Sequence, residues 1–439
     1  MPELNEAQAR ALAEQALKLS TAEACTVNLS GNAGGNIRYA RNTVSTAGAT
    51  EDLSLVVTAF YGKRSGTATA NQFDAATLER TVRAAEALAK LAPEDPESMP
   101  PLGPQQYTPI PEAYAEGTAR VSPEYRARVA EASIGPARER GCVAAGFLQD
   151  GGGWQAMANS AGLFAYHRAT SLNFSVTMRT EDGTGSGYVE RDVNDATRFD
   201  GAAASAIAIE KAVASREAKA IEPGKYTVIM EPLAAVDLIQ PLLFSLNARQ
   251  ADEGRSPLSK QGGGTRLGEK LVDEAVSIWS DPWHPEVPGS PWTGDGRPQQ
   301  KTRWVDKGVV QNLFYSRYWA EKQGKPATPF PSNFLMEGGS ASLEQLIRET
   351  ARGVLVTRFW YIRFVDPQTL LLTGLTRDGT FYVEDGKIKH AVKNFRFNES
   401  PIIMLNNVDA LGTPVRMQGN LVPPMRIRDF TFTSLSDAV

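Results

Sequence analysis

Residues 331–360, PSNFLMEGGSASLEQLIRETARGVLVTRFW, combine a turn, a capped helix and a strand, and no other stretch constrains the fold of this chain as strongly. Two glycines at 338–339 interrupt the chain, and the hydroxyl of Ser340 or Ser342 can then accept a backbone N–H as a helix N-cap. A short helix should follow, because apolar residues recur at spacings of three and four, the pattern of one buried helical face. These residues are Leu343, Leu346 and Ile347.

A strand is expected soon after this helix. We place Gly353 at the helix C-terminus, where a residue without a Cβ atom is favoured. Residues 354–357 are rich in β-branched side chains, which are typical of strands. The segment therefore predicts a helix, a glycine turn and a strand in close succession.

This order of an Asn, a Glu-Gly-Gly turn, a Ser-capped helix and a strand resembles the C-terminal region of the TldD/TldE family, also called PmbA or modulators of DNA gyrase. Four further segments resemble parts of the same family. They are a strand–strand–helix unit (37–90), a hairpin with a Tyr-containing helix (304–324), a glycine-turn hairpin (379–397) and the closing strand of the TldE branch (422–434). Together the matches cover most of the chain.

The bulk composition excludes several classes of protein. A chain of 439 residues is too long for one ordinary core, so two domains are expected. The net charge is -4 and no basic run occurs, which argues against nucleic acid as a partner. No stretch approaches the roughly 18 apolar residues of a membrane span, and the N-terminus is charged rather than signal-like. We therefore expect a cytoplasmic protein without membrane contact.

The first half of the chain predicts a helix-covered antiparallel sheet. Helices are expected at about 5–19, 74–92, 122–140 and 200–216, with strands at 24–30, 36–47 and 51–61 and within 142–192. Glycines at 31, 34 and 35, at 151–153 and at 183–187 are expected to lie in turns. Seven prolines between residues 93 and 113 predict an extended surface strap.

The predicted fold class is α+β with two domains. Residues 1–220 should form the N-terminal helix-covered sheet, and residues 221–439 a mostly β domain, barrel-like or a sandwich, with a few helices. The boundary falls at 221–224, where a proline and a glycine follow a helix. A helix over 232–248 is expected to follow the first strand of the second domain.

The resemblance also says which zinc ligands to look for. The active TldD branch carries an H-E-x-x-x-H helix and a distal Cys that hold Zn²⁺ and leave a position open for water. The corresponding helix here, around QPLLFSLNARQ, has no histidine, and its only cation is Arg249. The corresponding C-terminal segment, LNNVDALGTPVRMQGNLVPP, has no cysteine. We therefore expect no metal or other cofactor in this chain, and zinc in a TldD-like partner.

The chain's remaining histidines and cysteines are scattered. His167, His284 and His390 lie far apart in the sequence, so no two can share a helical turn. Cys25 and Cys142 lie in apolar, strand-like runs and are predicted to be buried free thiols, with a disulfide or a reactive pair as the alternative.

The proline- and tryptophan-rich loop at 281–292 is the main candidate contact region for a peptide or partner. Its alternative role is a rim loop whose tryptophans pack on the domain or on a partner. The full set of candidate contacts is Arg249, Trp283, His284, Trp292, Asn333 and Arg358. The aromatic run at 359–361 is expected to pack in a strand, with the wall of a cleft as its alternative.

The resemblance implies a TldE-like, non-catalytic subunit. Such a chain would pair with a TldD-like zinc subunit and help to bind and channel unfolded peptides for proteolysis or peptide maturation, and by itself it would be inactive. The rival hypothesis is a non-proteolytic homodimer that binds a peptide or small molecule. A third is an enzyme with an unrecognised site near His284.

Overall fold

The structure, a computed structural model, describes residues 3–436, so the outer limits of the predicted domains, residues 1 and 439, lie outside this range. The first half contains five helices and six strands in the described residues. In chain order they are α1 (Glu6–Leu19), β1 (Ala24–Ala40), β2 (Thr43–Tyr61), β3 (Arg64–Ala70), α2 (Ala75–Leu91), α3 (Glu116–Ala119), α4 (Pro123–Glu139), β4 (Cys142–Asn159), β5 (Phe164–Thr180), β6 (Ser186–Val193) and α5 (Gly201–Ala214). Short 3₁₀ turns occur at Pro111–Ala113 and Ala196–Arg198.

The first-half strands form one antiparallel sheet in the order β3-β2-β1-β4-β5-β6. Alternate residues along much of the sheet point to one face, where the apolar sides of the long helices cover them, whereas residues 43–52 of β2 are exposed. Asp74 and Ser122 cap the starts of α2 and α4 by accepting backbone N–H groups. The helix-covered antiparallel sheet is therefore confirmed, and its long helices lie within a few residues of their predicted bounds.

The glycine turns predicted in the first hairpin are wrong. Strand β1 runs unbroken through Gly31, Gly34 and Gly35, and the hairpin turns instead at 41–42, where both residues have positive φ. A Cβ atom on Gly34 would lie 2.2 Å from the carbonyl oxygen of Asp150 on β4. Gly34 thus serves the close approach of two strands, whereas Gly31 and Gly35 leave room for the side chains of Trp154 and Arg126, and the local sequence reveals none of these neighbours.

The same correction applies to β4. Residues 151–153, also predicted as a turn, lie inside this strand and pair with both neighbours. The third glycine cluster does include a turn, because Gly183 has a φ of 74° just before β6 begins.

The second half contains five helices and thirteen strands in the described residues. They are β7 (Gly224–Met230), α6 (Pro232–Phe244), α7 (Ala248–Asp252), β8 (Ile278–Ser280), β9 (Thr302–Asp306), β10 (Val309–Val310), α8 (Arg317–Gln323), β11 (Leu335–Met336), α9 (Leu343–Arg348), β12 (Arg352–Asp366), β13 (Leu371–Glu384), β14 (Lys387–Ala391), β15 (Phe395–Glu399), α10 (Pro401–Asn406), β16 (Val408–Leu411), β17 (Val415–Met417), β18 (Asn420–Val422) and β19 (Met425–Leu435).

Five of these strands close into a barrel. They follow the order β12-β7-β19-β15-β13, and β13 pairs back with β12. Phenylalanines fill the interior, with ring centroids of Phe395 and Phe432 4.5 Å apart and those of Phe359 and Phe397 4.7 Å apart. A second sheet, β10-β9-β8-β11-β18-β17, packs beside the barrel. The α+β fold with a barrel-like, mostly β second half is confirmed.

The helix predicted over 232–248 is interrupted. Helix α6 ends at Phe244, and the backbone of 246–248 bonds to Phe314 on both sides of residue 247 instead of continuing the helix. Asn247 then caps the short α7. The break comes from pairing with a distant segment, which helical periodicity cannot show.

The segment at 331–360 folds largely as predicted. Ser342 caps α9 by accepting the N–H of Gln345 at 3.2 Å, and Leu346 is fully buried. The placement of Gly353 is wrong, since it lies within β12. A Cβ atom there would lie 2.6 Å from the carbonyl oxygen of Thr227, so this glycine lets β12 lie close to β7.

The proline strap at 93–113 is extended and mostly exposed, as predicted. It bridges the two halves, because Glu97 pairs with Arg249 and the carbonyl of Pro100 accepts from Arg317. None of the helices between residues 3 and 436 combines the length and apolar character needed to cross a bilayer.

Candidate functional site

The two halves of the molecule meet along β6, the edge strand of the first sheet. Ser186 at one end of β6 donates a hydrogen bond to Asp378 on β13. Asp192 at the other end forms an ion pair of 2.8 Å with Arg416 on β17. Between these contacts the two halves enclose a cleft of about 790 Å³, a volume typical of ligand sites.

The walls of this interdomain cleft are largely apolar. Helix α9 and the barrel supply the inner wall, and three rim residues are still about 40–46% exposed. The inner residues are Leu343, Ile347, Leu355 and Phe381, and the rim residues are Ile207, Ile388 and Val415. Solvent-exposed apolar side chains around a cleft are typical of a ligand-binding site.

A partly buried ion pair crosses the cleft between the two halves. Glu231, directly before α6, lies 2.6 Å from the Nζ atom of Lys211 on α5, and the two side chains are only 14% and 16% exposed. The hydroxyl of Thr357 donates to the other carboxylate oxygen at 3.2 Å. Removing either charge would leave its partner unpaired in a poorly solvated place, so the pair holds both side chains in position.

Of the two segments to which the resemblance assigns zinc ligands, only the C-terminal one borders this cleft. The C-terminal segment contributes residue 413 and residues 415–417, whereas the segment around residues 240–250 contributes none. Only the start of α6, at Pro232 and Leu233, reaches the cleft. Zinc requires imidazole, thiolate or carboxylate ligands. The cleft lining offers only carboxylates, and Glu231 is already neutralised by Lys211. Across residues 3–436, no three His, Cys, Asp or Glu side chains are grouped so as to hold a metal ion. The residues present at the cleft do not fit zinc.

The histidines all lie away from the cleft. His167 packs against Trp292 with ring centroids 6.0 Å apart, and burial lowers its pKa to about 4. His390 stacks on Tyr382, and Nδ1 of His284 accepts the N–H of Glu286 at 3.3 Å. The imidazoles therefore make packing and loop contacts.

Both cysteines are buried and unbridged in the first sheet, which confirms the prediction of free thiols. Burial raises the pKa of the Cys25 thiol and that of the Cys142 thiol. A raised pKa disfavours the nucleophilic thiolate, so the structure gives neither cysteine the features of a reactive group.

Asp237 is the strongly perturbed acid next to the cleft. It lies on α6, and its carboxylate accepts the N–H of Phe359 at 3.3 Å. Burial raises its pKa to about 7, with the neighbouring charge of Glu190 acting in the same direction. This carboxyl group therefore exchanges its proton near neutral pH.

Sequence reasoning missed Lys211 and Glu231. One signal was available, because Glu231 stands between a strand and the proline that opens α6, where a side chain projects from the end of a sheet. Lys211 lies on a different helix in the other half of the molecule, and no local pattern connects the two.

Among the predicted contacts, Arg249 is engaged within the chain. Its guanidinium makes two hydrogen bonds to Glu97, of 2.7 and 2.9 Å, and a third to Glu253. This arginine thus fastens the proline strap to α7, outside the cleft.

Asn333 holds in place the loop that carries Trp283 and His284. The buried Asn333 amide donates to the carbonyls of Asp281 and Val287, at 2.7 and 2.6 Å, and so closes the loop that carries the other two. The indole N–H of Trp283 donates to the strap at Thr108.

Trp292 is buried in a small apolar cluster against the first sheet and the strap, with its ring centroid 5.4 Å from that of Tyr107. This contact corresponds to the packing alternative for the loop. Arg358 stacks 3.8 Å above the ring of Tyr188 and lies 2.7 Å from Oδ2 of Asp378. Oδ2 receives no hydrogen bond, so this contact is electrostatic. None of the six predicted residues lines the cleft, and their roles as peptide or partner contacts stay predictions.

Comparison with known proteins gives the class of this fold. Models of three domains of the PmbA/TldA metallopeptidase family match the chain: domain 1 at residues 25–89, the central domain at 118–216 and the C-terminal domain at 223–434. The chain belongs to the PmbA/TldD family.

Curated relatives agree with this assignment. The chain is 23% identical over 400 residues to the metalloprotease PmbA of Escherichia coli O157:H7, covering 86% of each chain. It is 26% identical over 227 residues to a metalloprotease of Methanothermobacter thermautotrophicus. That second match spans about half of the relative's length, 47%.

Solved structures share the fold. TldE from Thermococcus kodakarensis superposes with a TM-score of 0.86 at 18% identity and covers 97% of this chain and 99% of its own. A Thermotoga maritima protein described as a DNA gyrase modulator gives the same TM-score and identity, covering 97% of this chain and all of its own.

Proposed function

We propose that this chain is the non-catalytic, TldE-like subunit of a two-chain metallopeptidase and that it binds an extended peptide in the interdomain cleft, while a TldD-like partner holds the zinc. The observation that carries the proposal is the Lys211–Glu231 ion pair. It lies in the interdomain cleft of a chain from a metallopeptidase family, and the lining of this cleft includes no histidine or cysteine that could bind zinc.

The borders of the cleft favour an extended peptide as its occupant. Strands β6, β14 and β17 each lie at the edge of their sheet, and each contributes residues to the cleft. An extended peptide can bind to a sheet edge through main-chain hydrogen bonds, while pockets receive its alternate side chains. The apolar rim would then accept apolar side chains of an unfolded substrate.

The proposal is tested by producing this chain together with a homologue that carries the H-E-x-x-x-H motif. We expect hydrolysis of unfolded peptides by the pair and none by this chain alone. In the pair, Val415→Asp or Ile388→Asp should raise KM about tenfold, because an apolar contact of about 1.5 kcal/mol is lost and a charge is placed on the rim.

Leu91→Asp is the matched control, since Leu91 is 84% exposed on α2 and outside the cleft. It should leave KM unchanged. Peptide hydrolysis by the isolated chain would contradict the proposal. Peptide binding by a homodimer of this chain that never pairs with the zinc homologue would favour the rival function.

A further inference from the structure

A second surface of the barrel exposes large apolar side chains far more than an ordinary strand does. Within β12, four side chains are between 41% and 57% exposed, and none of them lines the interdomain cleft. We call them the aromatic ridge: Trp360, Tyr361, Phe364 and Val365.

Backbone irregularities create the ridge. The pairing of β12 with β13 shifts between Trp360 and Arg363 and again between Phe364 and Asp366. A regular strand sends neighbouring side chains to opposite faces, whereas a bulge re-aims them. Here both members of each adjacent pair, 360–361 and 364–365, are exposed. Tyr361 also has a φ of 57°, a conformation that bulky residues rarely adopt.

The exposed area is that of an interface. Four such side chains, about half exposed, present roughly 400 Å² of apolar surface, which is as large as the largest patches on ordinary monomers. A standard interface buries about 800 Å² on each partner, so the ridge would form the apolar centre of one. Aromatic residues are the common anchors of such centres.

The charges around the ridge restrict what can cover it. The guanidinium of Arg377 lies 4.1 Å above Trp360, and that of Arg363 lies 4.2 Å above Tyr361. Arg363 has no carboxylate within ion-pair distance among residues 3–436. The one carboxylate on this segment, Asp366, accepts from Gln368 and Thr369 in its own turn. Arg377 also forms an ion pair of 3.7 Å with Asp378, so the positive charge of the ridge comes mainly from Arg363.

We propose that the aromatic ridge is the docking surface for the second, zinc-carrying chain, and that the matching surface of that chain is an apolar patch rimmed by Asp or Glu. This inference rests on the proposed function. A second copy of this chain fits poorly, because ridge-to-ridge contact would bring guanidinium groups together. An anionic membrane is also disfavoured, because the whole chain carries a net charge of -4.

The test uses the double variant Trp360→Ser/Phe364→Ser, the charge variant Arg363→Glu, and Leu88→Ser/Leu91→Ser as an exposed apolar control on α2. Each full chain is titrated with the purified zinc-motif homologue by calorimetry, and its thermal midpoint is measured alongside. We expect the double variant to weaken Kd at least 100-fold and Arg363→Glu about tenfold, with midpoints near that of the wild type. The control should keep the wild-type Kd.

Several outcomes would overturn the inference. One is pairing of the double variant with the wild-type Kd, which leaves the proposed function standing. Another is that the wild-type chain forms a homodimer and the double variant is monomeric. A second copy of this chain would then be the partner that covers the ridge. A third is ridge-dependent binding to phosphatidylglycerol vesicles in place of the homologue. If the wild-type chain does not bind the homologue at all, both the proposed function and this inference are wrong.

Discussion

The two halves of the molecule use long paired strands in opposite ways. Strands β4 and β5 pair from Cys142 to Ala158 without a shift in register. Strands β12 and β13, of similar length, shift three times. The regular pairing of β4 with β5 keeps one face of the sheet apolar and covered by helices. The irregular pairing of β12 with β13 directs some side chains towards solvent or towards the other half.

The regularity of strand pairing is related to where charged and exposed side chains lie in each half. In the first sheet the buried charge is sealed as the pair Arg126–Asp150, with two hydrogen bonds of 2.6 and 2.8 Å. In the barrel, one break in the ladder sets Asp378 against β6 of the other half, and two others form the aromatic ridge. We infer that the irregular pairing of β12 with β13 marks the surfaces that meet another domain or chain.

The largest effect is expected in the regular half. Replacing Asp150 with Ala leaves the Arg126 charge buried and unpaired, which should lower the free energy of unfolding by about 3–5 kcal/mol. Chemical denaturation measures it. Glu210→Ala, which breaks an exposed pair with Arg140, is the control and should cost less than about 1 kcal/mol. Equal costs for the two variants would contradict the distinction between sealed and exposed charge.

The contact between the halves should give a smaller effect. Asp378→Ala removes the acceptor of Ser186 and the charge beside Arg358, at a cost of about 2–3 kcal/mol. Hydrogen exchange should rise in β6 more than in β1, because β6 is the strand held by Asp378. A uniform rise across the first sheet would show that the contact does not act locally.

The glycines of the regular half give the next test. Gly34→Ala would set a Cβ atom 2.2 Å from the Asp150 carbonyl. Overpacking of this kind should cost roughly 1–3 kcal/mol. Gly48→Ala on β2, where no atom lies within 4 Å of the added Cβ, is the matched control and should cost almost nothing. Denaturation midpoints compare the two, and equal midpoints would mean that β1 and β4 do not need this close approach.

The smallest expected effects are the changes in unfolding free energy per pH unit that come from two buried titratable groups. The two groups change stability in opposite directions as the pH rises. The pKa of His167 is lowered to about 4, so its contribution is present above its unfolded value of 6.5 and is lost as the pH falls towards 4. The pKa of Asp237 is raised to about 7, so its contribution is present below 3.8 and is lost as the pH rises through 7. Each slope is at most about 1.4 kcal/mol per pH unit.

Because these two slopes oppose each other between about pH 4 and 6.5, His167→Gln should make the free energy of unfolding fall more steeply as the pH rises, and Asp237→Asn should make it rise more steeply. Denaturation series between pH 4 and pH 8 separate the two. If both variants keep the wild-type profile, neither group is buried as the structure places it.

Local signals predicted much of the fold. The Ser342 cap and the helical periodicities were sufficient to place most helices to within a few residues, because both signals lie within the helix itself. The glycine turns predicted at 31–35 and 151–153 were wrong, because both clusters lie inside strands. The reason for Gly34 is a carbonyl on another strand, and sequence alone does not reveal that neighbour.

The candidate site was less predictable than the fold. The end of α6 depends on pairing with Phe314, and the ion pair at the cleft joins Lys211 to Glu231 across the two halves. The tryptophan loop attracted attention because of its composition, yet Trp292 packs inward against Tyr107. Residue types in the sequence show which chemical groups the chain can supply. The position of the site depends on how the two halves pack together, and this packing cannot be read from local sequence.

The most direct test of the account is zinc content and peptide hydrolysis, measured on this chain alone and on the purified pair with its zinc-motif homologue. The account predicts no stoichiometric zinc and no hydrolysis for the isolated chain, and one zinc ion per two chains with hydrolysis for the pair. Stoichiometric zinc and peptide cleavage by the isolated chain would contradict it.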